Sequence, residues 1–394
     1  MIQSEALRPE DHLLLLCARV KWDDAIAHRA CEILRDEIDW SYLLKSASWH
    51  GLRPLLYRHL SSQKDMAVPP TVLEELRQAF ETNAKHNLFL AAQLLNLNRA
   101  FTESGIPFFV FKGLAIATDI YGDITLREFC DLDIMIRRED YTRSAAALSA
   151  LSFRQLEQLT PALENFRLQI GSECMFVHRQ HGGIVDLHWG FAPRNTPGTL
   201  DSGETWSRLA SFAIAGTQLK TPGIEDTILL LTTHGAKHLW ARLEWLCGIA
   251  ELLRRHHAHI NWDEVVRLAE SAGCRRQLLV GAGLAQTLLD APLPKEMKQG
   301  IEADKASVQL IVERAARMFT HSFMLPDKRA KVLWSIKIAD RTREGLETEL
   351  RKIAIPQSSD WNAYELPSAF TRLYYPLRLL RLMAKYVKQL VSRP

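Results

Sequence analysis

Residues 108–136 read FFVFKGLAIATDIYGDITLREFCDLDIMI, and the fold turns on how this run divides. A strand over residues 106–111 runs into the Lys112-Gly113 turn, and a helix follows from Leu114 to Tyr121. A loop carrying Arg127 then leads to a second strand from Asp131 to Arg137. Side chains alternate along a strand, so Asp131 and Asp133 share one face while Leu132 and Ile134 take the other. Two carboxylates on an otherwise apolar strand are costly unless a cation compensates them. Adjacent oxygen donors suit a hard divalent ion, Mg2+ or Mn2+.

Working outward, residues 139–151 have the composition of an alanine-rich helix. Glu173 to His178 and Ile184 to Trp189 read as two strands joined through Gln180-His181-Gly182-Gly183, a hairpin. In GGIVDLHWGF (residues 182–191), period 2 puts Asp186 and His188 on one face and Val185 and Leu187 on the other. Asp186 is either a third metal ligand, beside the strand of Asp131 and Asp133, or half of a buried pair with an arginine. At Lys112-Gly113 the glycine lets a ligand approach the backbone, the helix start favours an anion, and the lysine adds a point charge for phosphate. Arg127 is a second candidate phosphate clamp, with pairing to Asp123 or Glu128 as the alternative.

The flanks read as helix. Residues 22–38 and 72–103 carry apolar residues at helical spacing, and no motif in residues 1–104 carries chemistry. Beyond Pro222-Gly223 the pattern predicts helices over 224–253, 262–271, 274–289, 307–320 and 331–351. Residues 355–367 are loop-like, and residues 368–394 form a basic amphipathic tail with no acid after Glu365 and a candidate break at Pro376. Such a helix either lies on an anionic membrane surface or covers the protein's own core. The expected fold is α+β and predominantly helical. A small mixed-sheet domain (105–215) lies between helical regions (1–104 and 216–354), and residues 355–394 form the tail.

Composition narrows the function classes. The chain has 394 residues, 47% hydrophobic and 24% charged, with formal net charge +3. That is ordinary for a globular protein and too little charge to imply extensive nucleic-acid contact. Six scattered cysteines without a CxxC pair fit a reduced, cytoplasmic protein. The N-terminus does not resemble a signal peptide, and no apolar run reaches the roughly 20 residues of a membrane span. Walker, dinucleotide-binding and nucleophile-elbow motifs are absent from the sequence. His234 and His238, four apart, share a helix face, but no HExxH arrangement supports zinc.

The combined pattern resembles the nucleotidyltransferase fold of the DNA polymerase β superfamily. More closely, it resembles an uncharacterised nucleotidyltransferase family whose members show a Lys-Gly turn, a Tyr-Gly pair, an arginine before Asp-x-Asp, and Val-Asp-Leu-His-Trp. Here these are Lys112-Gly113, Tyr121-Gly122, Arg127, Asp131-Leu132-Asp133 and residues 185–189. The stretch THGAKHLWARLEWLCGIAELL (233–253) and the tail LYYPLRLLRL (373–382) extend the likeness over roughly residues 90–390. Two features depart from the pattern: Leu114 follows the Lys-Gly turn where the superfamily carries glycine or serine, and Gly248 stands where the family tends to have aspartate.

The resemblance implies two-metal transfer of a nucleoside monophosphate from an NTP to a hydroxyl acceptor, with pyrophosphate released. Asp131, Asp133 and Asp186 would hold the metals, and Asp186 would also help deprotonate the acceptor. Lys112, Gly113, Arg127 and His188 would bind the nucleotide, and His234, Lys237 and His238 would line the cleft. The acceptor is open: a small molecule, a glycan or a protein. Two alternatives stand beside this one, a catalytically silent module that binds nucleotide or protein, and a toxin-type enzyme modifying tRNA or protein. A peripheral membrane contact through residues 368–394 is a separate expectation.

Overall fold

Both acid-bearing strands lie in the interior of one mixed sheet. A computed structural model describes residues 7–62, 67–193, 196–319, 323, 327–364 and 366–391, with side chains beyond residue 385 left aside. The architecture is α+β, 64% helical with a small mixed sheet.

Five helices lead in: α1 (Pro9–Cys17), α2 (Asp24–Ile33), α3 (Trp40–His50), α4 (Arg53–Ser62) and α5 (Pro70–Glu103). The sheet is built from β1 (Phe108–Val110), β2 (Asp131–Ile136), β3 (Phe153–Gln155), β4 (Glu173–His178) and β5 (Ile184–His188), in spatial order β1-β2-β5-β4-β3. Between strands lie α6 (Gly113–Ala115), α7 (Tyr141–Ala150) and α8 (Pro161–Ile170). After a short α9 (Ser202–Thr205), a separate hairpin pairs β6 (Leu209–Ile214) with β7 (Thr217–Pro222).

The second helical region holds α10 (Ile224–Lys237), α11 (Leu243–His256), α12 (Trp262–Ala272), α13 (Arg275–Leu289), α14 (Lys295–Ala303) and α15 (Lys305–Ala316). It continues with α16 (Lys328–Ile338), α17 (Thr342–Ala354), α18 (Ser358–Trp361) and α19 (Tyr374–Val391). A hydrophobic core runs from Leu13 through Phe109, Phe111 and Met135 to Ile338, so one face of the sheet packs into the same interior as both helical regions. The other face, with Leu132, Ile134, Val185 and Leu187, packs with Leu94, Phe101 and Tyr141.

Several elements differ from the sequence expectation. The helix expected over 224–253 is two, because the chain turns back at Leu239 and Trp240, both at positive φ. Trp240 is fully buried, and a Cβ on Gly235 would lie 2.2 Å from its Nε1, so a glycine there admits the indole. The helix expected over 331–351 also divides, at Asp340. Its carboxylate accepts from the backbone N–H groups of Arg275 and Arg276, at 3.0 and 2.6 Å, and so caps α13.

The helix expected over 114–121 is a single α turn followed by a π-helical stretch, Ile116–Ile120. Helix α2 is shorter than residues 22–38, and β1 is shorter than 106–111. Pro376 falls within the first turn of α19, where a missing N–H costs nothing, so it does not interrupt the tail. The β6–β7 hairpin and β3 had no sequence signal strong enough to be predicted.

Candidate active site

Strand pairing brings the acids together. β2 runs parallel to β5 with Asp133 opposite Asp186, Asp131 opposite Ile184 and Met135 opposite His188. Register and alternation therefore gather Asp131, Asp133, Asp186 and His188 on one face. The ligand atoms of Asp133, Asp186 and His188 all lie within 4.8 Å of one another. Asp131, two residues earlier on β2, lines the same cavity but falls outside that tighter group.

Asp133 is the hub. It is 7% exposed, and its Oδ1 receives Lys112 Nζ at 3.1 Å and lies 3.1 Å from His188 Nε2. Burial by itself would raise this carboxyl, but the Lys112 ammonium and the His188 hydrogen bond outweigh it and hold Asp133 well below the usual carboxylate range. Asp131 moves the other way, raised by burial and then by the neighbouring Asp133 charge. Asp186 is raised to about 6, again by burial first and by Asp131 second. Three similar carboxyls thus hold their protons differently because their neighbours differ.

Lys112 reaches Asp133 because β1 is antiparallel to β2, with Val110 opposite Ile134 and Phe111 N–H bonded to the Asp133 carbonyl at 3.3 Å. Its backbone has φ 96° and ψ −157°. That region is essentially reserved for glycine and costs a side-chain-bearing residue about 1–3 kcal/mol. Gly113 follows at φ 37°, where a Cβ would sit 3.4 Å from the Asp131 carbonyl.

Arg127 pairs with neither Asp123 nor Glu128. Asp123 caps the turn at Thr125 and lies 4.0 Å from Arg58, and Glu128 is held by Arg53 at 2.9 Å. The Arg127 guanidinium stands 5.9 Å over the Phe129 ring, its Nε and Nη1 buried without a hydrogen-bond partner, and the residue lines the cavity. Two buried guanidinium donors without a protein partner are groups that an anion could satisfy.

The first helical region contributes more than a platform. Asn87 and Asn83, one turn apart on α5, donate to the carbonyls of Ile124, Thr125 and Arg127 at 2.6–3.3 Å and so fix the loop that carries Arg127. Their i, i+4 spacing was the available sequence signal. Helices α3 and α5 also wall the cavity, which encloses about 1310 Å³ and reaches Ser41, Lys45, Gln78 and His86. From β4, Glu173 places Oε2 3.2 Å from His188 Nδ1, another contact not foreseen.

Among the later candidates, His234 and Lys237 line the cavity. Burial and Lys112 lower the pKa of His234 well below its usual value, so it is neutral. His238 instead stacks on Trp245, ring centroids 5.0 Å apart, and is lowered to about 4 by burial and by Lys237. Among the described residues the two histidines belong to no three-ligand cluster. Gly248 faces Leu231 in the core.

The donor set fits a divalent cation. Oxygen donors predominate, and Asp186 Oδ1 is buried with no hydrogen-bond partner, as a ligand atom would be.

Residues 36–290 match the model of a family described as an uncharacterised nucleotidyltransferase. The match begins in the first helical region and ends at Asp290, short of the tail. No curated protein matches the chain. Among solved structures, the crystal structure of ANT(2")-Ia in complex with adenylyl-2"-tobramycin is 14% identical, with 46% of this chain and 96% of that chain covered and a TM-score of 0.35. A solution structure of the antibiotic-resistance factor ANT(2'')-Ia is 15% identical, with 52% and 95% covered and a TM-score of 0.29.

Proposed function

The chain belongs to the uncharacterised nucleotidyltransferase family, and from that premise we propose that it moves a nucleoside monophosphate from an NTP to a small hydroxyl-bearing acceptor, releasing pyrophosphate. The observation that carries this reading is the convergence of Asp133, Asp186 and His188 beside a lysine and an arginine with buried, unpartnered donors.

Asp131, Asp133 and Asp186 are the residues that would hold Mg2+ or Mn2+, and a divalent ion there supplies charge neutralisation for the triphosphate and the departing pyrophosphate. Arg127 offers its two unpartnered donors to phosphate oxygens, with the planar fork suited to a bidentate contact. Lys112, whose ammonium sits on Asp133, would offer its charge to a phosphate oxygen. Asp186 would also help to accept the acceptor's hydroxyl proton. His188, hydrogen-bonded through Nε2 to Asp133, orients that carboxylate.

The cavity supports a small acceptor. Its volume of about 1310 Å³ exceeds the ~300–1,000 Å³ of a pocket for one ligand and leaves room for a nucleotide and a second molecule.

A second reading, nucleotide binding without turnover, draws on one contact: the Lys112 ammonium already neutralises the Asp133 oxygen that a metal would use. Incubation with Mg2+ and each labelled NTP, across sugars, polyols and proteins as acceptors, separates the two. Pyrophosphate release with a labelled product supports transfer. Saturable NTP binding with no pyrophosphate under any acceptor supports the module.

A further inference from the structure

A second cavity, of about 530 Å³, is lined by four cations, Arg19, Lys21, Arg29 and Arg254, against two acids, Asp23 and Asp290. None of its lining residues lines the cavity of Asp133 and Asp186. Its volume falls within the ~300–1,000 Å³ of a pocket for one small ligand.

Arg19 is the centre of this cavity. The chain places it where α1 gives way to α2. Trp22 Nε1 donates to the Leu16 carbonyl at 2.8 Å, the Trp22 ring stacks on His59, and the Arg19 carbonyl accepts from His59 Nε2 at 2.7 Å. The Arg19 side chain is only 8% exposed, yet among the described residues its guanidinium makes no hydrogen bond, and Nε is buried and unpartnered. Asp290 is the one acid within 4 Å of it among those residues. It stands 3.8 Å from Nη2, outside hydrogen-bond reach, with its own side chain 74% exposed. A buried charge is ordinarily held by closer partners than that.

The neighbours do not supply them. Arg254, on α11, is engaged by Glu251 and by the Leu289 carbonyl at the end of α13. Burial first, and then the Arg254 charge, lower the pKa of Arg19, so two guanidinium groups repel each other here. Asp23 caps α2, accepting from Ile26 N–H at 2.8 Å. With Glu251 counted against Arg254, the cations still exceed the acids by one. Ala25, in the first turn of α2, also lines the cavity, and the positive end of that helix adds about half a charge. Trp22 and Ile26 give the cavity an apolar wall.

We infer that this cavity binds a small phosphate-bearing anion through Arg19, Lys21 and Arg29. The proposal does not depend on the transfer reaction. Arg19 supplies a buried planar fork for two phosphate oxygens, and Lys21 and Arg29, both exposed, add charge at the rim. An oxyanion seated there satisfies the unpartnered guanidinium and neutralises its repulsion from Arg254. A phosphate monoester, with about −1.5 to −2 charges at pH 7, matches the excess of positive charge better than a single carboxylate.

The test is isothermal titration calorimetry of the full chain, without divalent metal, against inorganic phosphate, glucose 6-phosphate and acetate. The expected result is saturable binding of a phosphate species and none of acetate, weakened by salt and retained in Arg127→Ala. The double variant Lys21→Glu, Arg29→Glu should bind about tenfold or more weakly. Both of its positions are exposed, so the fold tolerates the changes. Arg19→Gln should abolish binding, and phosphate should raise the melting temperature of the wild type and not of this variant, whose helix content circular dichroism verifies. Tighter binding of glucose 6-phosphate than of phosphate supports an ester as the ligand, and the reverse supports the free ion. Absent saturable binding of either, equal binding of acetate, or equal binding in the wild type and the double variant overturns the proposal. So does loss of all binding in Arg127→Ala, which would place the anion in the nucleotide cavity instead.

Discussion

Lys112 contacts Asp133 at 3.1 Å from a backbone conformation, φ 96° and ψ −157°, that glycine alone adopts without strain. The side chain most central to the site therefore stands at the position least suited to having one. Comparing Lys112→Gly with Lys112→Ala isolates that strain, since both remove the ammonium and differ by one Cβ. The glycine variant is expected to be the more stable by about 1–3 kcal/mol in urea denaturation. Both should lose nucleotide transfer. Equal midpoints for the two variants would show that the backbone is relaxed there.

Asp186 is a second place where function and stability oppose each other. Its folded pKa, about 6, lies above the ordinary carboxylate value because of burial and the Asp131 charge. A carboxyl raised in this way favours the folded state when protonated, and that advantage is lost as pH rises through 6. At pH 7 the charged Asp186 accordingly destabilises the apo fold. Asp186→Asn is expected to raise the melting temperature at pH 7 while lowering transfer about 100-fold or more. Mg2+ should raise the melting temperature of the wild type and leave the variant where it is. A variant that melts lower than the wild type without metal would contradict this account.

Much of this site was legible in the sequence because strand periodicity is short-range. Acids spaced by two on apolar strands must share a face, and Asp131, Asp133, Asp186 and His188 do. What periodicity could not supply was the backbone strain at Lys112, which depends on where β1 ends against β2. Nor could it supply the division of residues 224–253. The pattern there is apolar throughout, and the turn exists because the Trp240 indole lies against Gly235, a tertiary fit. The tail shows the same limit. Which of its arginines turn inward depends on Asp360, about twenty residues earlier, whose carboxylate accepts from two of them. The side chain of Lys388 and all of Arg393 lie outside the described residues.

Arg127 should govern nucleotide affinity. Its Nε and Nη1 are buried without partners, while α5 pins the loop beneath it through Asn83 and Asn87. Charge-assisted hydrogen bonds contribute about 1.5–3 kcal/mol each, so Arg127→Lys, which keeps the charge and loses the fork, should lower kcat/KM for the NTP about 10- to 100-fold, mainly through KM. The companion variant Asn87→Ala leaves Arg127 in place but frees its loop, and should lower kcat/KM by less. Steady-state kinetics with varied NTP reads both, and an unchanged KM in Arg127→Lys would remove the residue from the nucleotide site.

Acid should unfold this protein earlier than its carboxylates alone would dictate. His50 is buried where α3 meets α11. Its Nδ1 accepts from Leu243 N–H at 3.1 Å and its ring meets Phe319 edge-on, while burial and nearby Arg242 hold its pKa down to about 3. His59, stacked on Trp22 with Nε2 2.7 Å from the Arg19 carbonyl, is lowered to about 4, chiefly by burial. Unfolded, both titrate near 6.5. Above that pH neither state takes up a proton, so the histidines are neutral in effect. Below it the unfolded chain binds two protons that the folded chain refuses, and stability falls until the folded pKa values of about 4 and 3 are reached. Each histidine contributes a slope of up to about 1.4 kcal/mol per pH unit in that window. Urea midpoints at pH 7 and pH 5 should differ clearly in the wild type. His50→Asn should be less stable at pH 7, having lost a packed ring, yet lose less between pH 7 and pH 5. An identical drop in wild type and variant would show that His50 is free to protonate in the folded state.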